Sequence, residues 1–452
     1  MEELRVITLS NCDFIGSITI SSGLTEIVES IFDNCHNLET VIIPETVTKI
    51  GPYAFAESVL KSINLPHGLI EIGNGVFFNC SNLENVVIPE TVTKIGREVF
   101  AESGLKSITL LDGRLTEIEG YVFYKCCNLE TVVIPNSVTK IGPWAFAESG
   151  LKSITLPHEL TEIGECAFHC CRNLESVVIP ETVTKISPGA FAHSGLKSIT
   201  LLDGRLTEIE GYAFCRCSNL ENVVIPNSVT KTGPWVFTES GLKSITLPHE
   251  LTEIGEGAFY GCSNLETVVI PNSVTKIGPY AFAGSGIKSI TLPHGLTEIG
   301  ECAFYYCHNL ETVVIPETVT KIDRGVFAGS GIKSITLLDG RLTEIEEHAF
   351  NNCKNLENVI IPKSVNKIGP QAFAHSGLKS IILPDGLTEI GKITFYKCSN
   401  LETIVIPDSV TKIGPEAFAH SGLKLITLPY GLTEIDESAF YECRNLVVKR
   451  RD

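Results

Sequence analysis

From residue 24 to the end, this chain repeats two alternating units. The unit Leu251 to Ser273 reads LTEIGEGAFYGCSNLETVVIPNS, and the unit Val274 to Gly295 reads VTKIGPYAFAGSGIKSITLPHG. First-type units begin at Leu24, Leu69, Leu115, Leu160, Leu206, Leu251, Leu296, Leu342, Leu387 and Leu432. Second-type units begin at Val47, Val92, Val138, Val183, Val229, Val274, Val319, Val365 and Val410. A fixed period of this length is the signature of a stacked-repeat architecture and overrides the several domains that 452 residues would otherwise imply. The units number nineteen, with the last truncated, and residues 1–23 form a degenerate N-terminal capping coil in front of residues 24–452. No linker or charge run interrupts them, so the sequence reads as one continuous domain.

A single unit cannot bury its apolar side alone, so each must be one coil of a stack whose stability is a sum of neighbour terms. Leu265, Val268 and Ile270 have the spacing of a leucine-rich-repeat strand, with β-branched residues that favour extended backbone, and Pro271 ends it. The following AF-x-x-C segment is long enough only for a turn or a short 3₁₀ segment. The expected fold is thus an α/β repeat solenoid, mostly β: a right-handed coil stack with a parallel sheet on one side and short turns or 3₁₀ segments on the other. Every unit has Phe at its ninth place, from Phe32 to Phe440, which predicts a continuous ring column.

Charge alternates with unit type. The third place is Glu in first-type units (Glu117, Glu162) and Lys in second-type units (Lys140, Lys185), and the first outward strand place repeats this with Glu130 and Lys152. Stacked like charges would repel, so alternation predicts Glu–Lys ladders that fix the order of the coils.

The recurring IPxxVxxIGxxAFxxC pattern, as in NLETVVIPNSVTKIGPYAFAGS, resembles the BspA-type leucine-rich repeats over residues 24–452. The resemblance implies a curved solenoid and a role like that of surface or secreted adhesins and antigens of mucosal microbes, which bind host proteins. It carries over no catalytic residues.

Net charge of −18 argues against nucleic acid or an anionic membrane as partner. No apolar run is long enough for a membrane span, and MEELRVITLSNCDF has neither the basic nor the apolar region of an export signal. Ten of the sixteen Cys, including Cys80, Cys126 and Cys171, share one column that holds Ser in second-type units; same-column Cys stand about 10 Å apart by strand spacing, beyond disulfide reach. Free thiols without an export signal point to the cytoplasm, whereas the resemblance points to a cell surface. The extra Cys are Cys12, Cys127, Cys166, Cys170, Cys215 and Cys302; Cys166, His169, Cys170 and Cys171 cluster without zinc-site spacing, so neither metal nor cofactor is expected.

The seventh place carries Tyr121, Trp144, Tyr212, Trp235 and Tyr280 but also Glu98, Gly189 and Gln371, which predicts an exposed position. Tyr121 with Trp144, and Tyr212 with Trp235, would then be exposed aromatic pairs suited to anchoring a protein ligand. LLDGR replaces the usual Pro turn at Asp112–Arg114, Asp203–Arg205 and Asp339–Arg341, and Glu119, Glu210 and Glu346 follow; these Arg and Glu are expected to pair across the widened turn. The resulting expectation is a monomeric, non-enzymatic scaffold for protein–protein interaction. A passive spacer, or an intracellular effector without a single defined site, is the alternative.

Overall fold

The computed structural model describes residues 14–444 and 446–450. The capping coil's residues 1–13, Cys12 among them, therefore lie outside the described part. Contacts divide the chain into two units, Met1–Ser228 and Val229–Asp452, where the sequence had read as one undivided domain. In a stack each coil meets chiefly the coils beside it, so contacts cluster locally.

Both units are β-solenoids whose coils supply two short parallel strands, the second reduced to a single bridge at Ser62 in the coil that begins at Val47. In the first, Thr131–Val133 pairs in register with Ser153–Thr155, and Lys140–Ile141 pairs with Glu162–Ile163. In the second, Thr267–Val269 pairs with Ser289–Thr291, and Glu253–Ile254 with Lys276–Ile277. The strands alternate exposed and buried residues, as in Asn85–Ile88, because successive side chains leave opposite faces of the strand.

Among the described residues there is no helix, α or 3₁₀, so the fold is an all-β solenoid and not the α/β arrangement the sequence had implied. Backbone hydrogen bonds give the reason. In the AF-x-x-C turns, the N–H groups of Tyr121, Phe123 and Lys125 donate to Pro143, Ala145 and Ala147 of the next coil. Only the intervening groups close i→i−3 turns, Tyr124 to Tyr121 and Cys126 to Phe123. Half of the donors a helix needs are thus spent between coils. This alternation requires left-handed backbone at the seventh and eleventh places, at Tyr121 (φ 62°) and Lys125 (φ 53°) as at Trp144 (φ 59°) and Glu148 (φ 57°).

The ring column holds in both units. Phe32 through Phe214, and Phe237 through Phe440, stack with neighbouring centroids 5.0–5.9 Å apart and planes within 19°. Beside it runs the Cys/Ser column. The Cys80 thiol donates to the Phe55 carbonyl at 3.2 Å with Ser58 Oγ 3.4 Å from the sulfur, and Cys307 repeats this with Phe282 and Ser285. Alternation of Cys and Ser therefore satisfies a buried carbonyl and a buried hydroxyl together, which leaving either unpaired would penalise. Burial pushes these thiols up to about 12 at Cys80, Cys126 and Cys307.

Both Glu–Lys ladders form. Lys152 meets Glu130 at 2.6 Å, Lys288 meets Glu266 at 2.8 Å, and Lys140 lies between Glu117 and Glu162 at 3.6 and 3.7 Å. The pairs are solvent-exposed, so each contributes only about 0.2–1 kcal/mol.

The widened turns behave otherwise than expected. No ion pair links Arg114 to Glu119, Arg205 to Glu210 or Arg341 to Glu346 among the described residues. Glu210 takes Lys185 at 2.9 Å, and Glu346 takes Lys321 at 3.3 Å and Lys367 at 3.1 Å. Glu210 lies two residues beyond Glu208, on the same side of the short strand, and so joins the Lys column already there. The Arg205 and Arg341 N–H groups instead donate to the Glu181 and Glu317 carbonyls. Those turns need glycine, since a Cβ on Gly204 or Gly340 would collide with the same carbonyls. The extra residue also displaces acceptors. Thr91 and Ser273 hydroxyls donate to Leu69 and Leu251 carbonyls, but Ser137, Ser228 and Ser364, which follow the widened turns, have buried hydroxyls without a partner.

Candidate binding surface

Two surfaces present side chains to solvent in a regular array: the outer face of the long strands and the flank of the AF-x-x-C turns. On the strand face the nineteenth place of first-type coils is an exposed aliphatic, with Val133 66% exposed, Val224 63% and Val269 81%. In the repeat alignment this face reads as merely uniform. Its polar neighbours, Thr131 and Ser153, and the Glu–Lys ladder frame the stripe.

On the turn flank the left-handed seventh place aims side chains outward, but most rings there are half-buried, not exposed. Tyr121 and Trp144 stack with centroids 6.1 Å apart and planes at 1°. Tyr124 closes edge-on against Tyr121 at 5.6 Å, and the Arg97 guanidinium lies 5.7 Å from the Tyr121 ring centre. His169 continues the row, 5.3 Å from Trp144 and 5.4 Å from His193. Burial, and then His193, lowers the His169 pKa against the opposing pull of Glu148, and its Nδ1 is buried without a partner. Tyr212 is exposed. In the second unit, Trp235 is half-buried, edge-on to Tyr260 at 5.5 Å and stacked on Tyr280 at 6.3 Å. Tyr280 is half-buried as well.

The seventh-place reading missed a second ring column. The tenth place holds Tyr124, His169, Tyr260, Tyr305, Tyr396 and Tyr441 in first-type coils, and Ala in nearly all second-type coils. The small residue leaves room for the neighbouring ring. His375, Tyr396, His420 and Tyr441 form an edge-to-face run with centroids 5.4–5.5 Å apart. Reading the columns by unit type shows this alternation in sequence.

The Cys166–Cys171 segment is split. Cys171 is buried and its thiol donates to the Phe146 carbonyl, while Cys166, His169 and Cys170 stay partly exposed. Among the described residues no group of three or more His, Cys, Asp or Glu side chains could hold a metal ion. No helix of the described residues is long and apolar enough to cross a membrane.

The profile described as BspA type Leucine rich repeat region (6 copies) matches residues 3–126, 116–243, 233–340 and 327–447. A leucine-rich repeat protein from Bacteroides ovatus is similar in structure, with 30% identity and a TM-score of 0.59 over 86% of this chain and 92% of that one. A leucine rich cell surface protein from Faecalibacterium prausnitzii shares 26% identity over 82% of this chain and 89% of its own, with a TM-score of 0.41. No protein with a curated description matches.

Proposed function

The chain belongs to the BspA-type leucine-rich repeat family, and from that premise we propose that it is a non-enzymatic scaffold that binds another protein through the ring-bearing flank of its turns. The observation that carries this reading is the row Tyr121, Trp144, His169 and His193, four ring-bearing residues on successive coils in mutual contact. Half-buried rings are already ordered by their neighbours, so a partner gains large amphipathic contact area with little further loss of side-chain freedom. Tyr212, Trp235 and Tyr280 extend the same chemistry. The reading assigns no residue to catalysis or to a cofactor.

The strand face supports a second reading, because it leaves aliphatic side chains in water, Val133 and Val224 in the first unit and Val269 in the second. One experiment separates the two. A protein captured from host or self lysates on the immobilised chain is purified and titrated against variants. Flank binding predicts saturable affinity lost on Trp144→Ala with Trp235→Ala and kept on Val133→Ser with Val269→Ser. The opposite pattern selects the strand face. Affinity unchanged in both sets overturns both surfaces as the site, and no saturable binding supports a passive spacer.

The cytoplasmic placement expected from the thiols loses its ground. Buried column thiols such as Cys80 and Cys171 lie beside Ser of an adjoining coil, and same-column thiols are beyond disulfide reach in an oxidising compartment too. We adopt the cell-surface placement that the family implies. Protease shaving of intact cells that leaves the chain untouched would overturn it.

A further inference from the structure

We infer that the unit Val229–Asp452 carries a site for one neutral sugar ring, in the groove formed by Tyr305, Tyr306, Gly329, Asn351, Asn352 and His375. The site is separate from the Tyr121–Trp144 row and does not depend on the protein-binding reading.

The groove exists because a side chain is missing. The eleventh place of neighbouring coils carries Tyr306, then Gly329, then Asn352. Gly329 is left-handed (φ 70°), and a Cβ there would lie 3.2 Å from Tyr306 Cδ2. With Ala328 beside it, the floor is bare, and the groove holds about 240 Å³. Pockets for drug-sized ligands hold roughly 300–1,000 Å³, so one small ring fits and a nucleotide cofactor does not.

One wall is aromatic. The Tyr305 and Tyr306 rings meet at 65° with centroids 4.3 Å apart, forming an apolar corner, and His308 backs Tyr306 edge-on at 5.2 Å. Both tyrosines are more than a third exposed. The facing wall is amide. Asn351 and Asn352 are half-buried, and among the described residues neither side-chain amide has a hydrogen-bond partner. Their backbones are fixed by the coil ladder: Gly329 N–H donates to the Asn351 carbonyl at 2.8 Å, and Asn352 N–H donates to Ala374 at 2.8 Å. No carboxylate, Lys or Arg lines the groove; burial, and then the nearby Lys397 and Lys354, lower the His375 pKa and disfavour its cation.

An ion finds no counter-charge among these lining residues. A wholly apolar ligand would leave the amides unpaired, which is costly for half-buried polar groups. A pyranose satisfies both walls. Its C–H face packs on the ring corner, and its hydroxyls donate to and accept from the two amides, each of which offers both functions.

The test uses the full chain with methyl glucoside, methyl galactoside, methyl mannoside, methyl N-acetylglucosaminide and glucose 6-phosphate as probes, read by saturation-transfer NMR and calorimetry. We expect saturable binding of at least one neutral probe. It should weaken at least about tenfold, the ~1.4 kcal/mol of one lost hydrogen bond, in Asn352→Ala, be blocked in Gly329→Gln, and persist in Trp144→Ala. Gly329→Gln should fold, since the same place holds Glu102, Glu148 and Glu239 in the same backbone conformation; circular dichroism checks this, and Asn352→Ala tests the site without that substitution. No neutral probe binding, binding indifferent to both variants, or tighter binding of the phosphorylated sugar would each overturn the assignment.

Discussion

Phe282→Ala probes the ring column where it is fully enclosed. Phe282 is wholly buried, with Phe259 5.3 Å away on one side and Phe304 5.5 Å away on the other. Returning its side chain to water costs about 1.5–3 kcal/mol. The backbone around it is pinned, because Phe282 N–H donates to Ala303 and its carbonyl accepts the Cys307 thiol, so the gap cannot close by collapse. The cavity term then raises the total to roughly 3–5 kcal/mol, within which the two lost ring contacts account for about 0.5–1.5 kcal/mol each. Because a coil stack loses cooperativity when one interface weakens, a single global midpoint is the wrong observable. Hydrogen exchange followed by mass spectrometry under native conditions reads the loss coil by coil. Protection should fall most in residues 251–318 and little beyond Val365. A loss below about 1 kcal/mol, or one spread evenly over the chain, would refute the argument that neighbouring rings carry the stack.

Three further outcomes follow from the same structure. Ile393 is a β-branched residue in the left-handed region (φ 59°), at a place where Gly257 and Gly325 sit elsewhere. Relief of about 1–3 kcal/mol of strain outweighs the roughly 0.5–1 kcal/mol that glycine's freedom costs, so Ile393→Gly should raise the urea midpoint; a lower midpoint counts against the strain. Burial holds the Cys80, Cys126, Cys171, Cys217, Cys307 and Cys353 thiols neutral up to about 12, against an ordinary value of 9.0. Their contribution is whole below pH 9 and is lost as pH rises toward 12, so urea midpoints should fall across that window and Cys80→Ser with Cys126→Ser should flatten the fall. Lys152→Glu sets a third carboxylate beside Glu130 and Glu175; because the ladder is exposed, the change should cost under about 1 kcal/mol and shrink in high salt. A larger, salt-independent loss would mean that Lys152 does more than pair.

Much of this fold was legible because period and column identity are one-dimensional properties. Phe at every ninth place can only stack, and Glu130 opposite Lys152 can only alternate. What the residues hid was backbone sign. Trp144, Glu98 and Gly189 share a place, and that mixture reads as exposure; its deeper cause is a left-handed φ, which Gly189 adopts without strain and Trp144 and Glu98 at some cost. Exposure itself was overread, since Trp144 lies between Tyr121 and His169 and is half covered. The same blindness to backbone direction made the AF-x-x-C turns look like 3₁₀ segments, because no pattern of side chains shows that Phe123 N–H points to the next coil. The Asp-Gly-Arg turn misled for a different reason. Arg114 and Glu119 are close in sequence, but Glu210 and Glu346 show that the lysine of a neighbouring coil is closer in space. The groove from Tyr305 to His375 draws on four coils, and its key residue, Gly329, has no side chain to notice.

The central claim is that the structural unit is a pair of unlike coils. Deleting residues 296–318 removes one first-type coil and leaves two second-type coils adjacent, setting Lys276 beside Lys321, Lys288 beside Lys333 and Ser285 beside Ser330. Deleting residues 274–318 removes twice as much chain and restores the Glu–Lys and Cys–Ser alternation. Thermal unfolding of the two variants, followed by circular dichroism at low salt, should give the longer deletion the higher Tm. An equal or higher Tm for the shorter deletion would show that coils stack without regard to type, and would contradict the account.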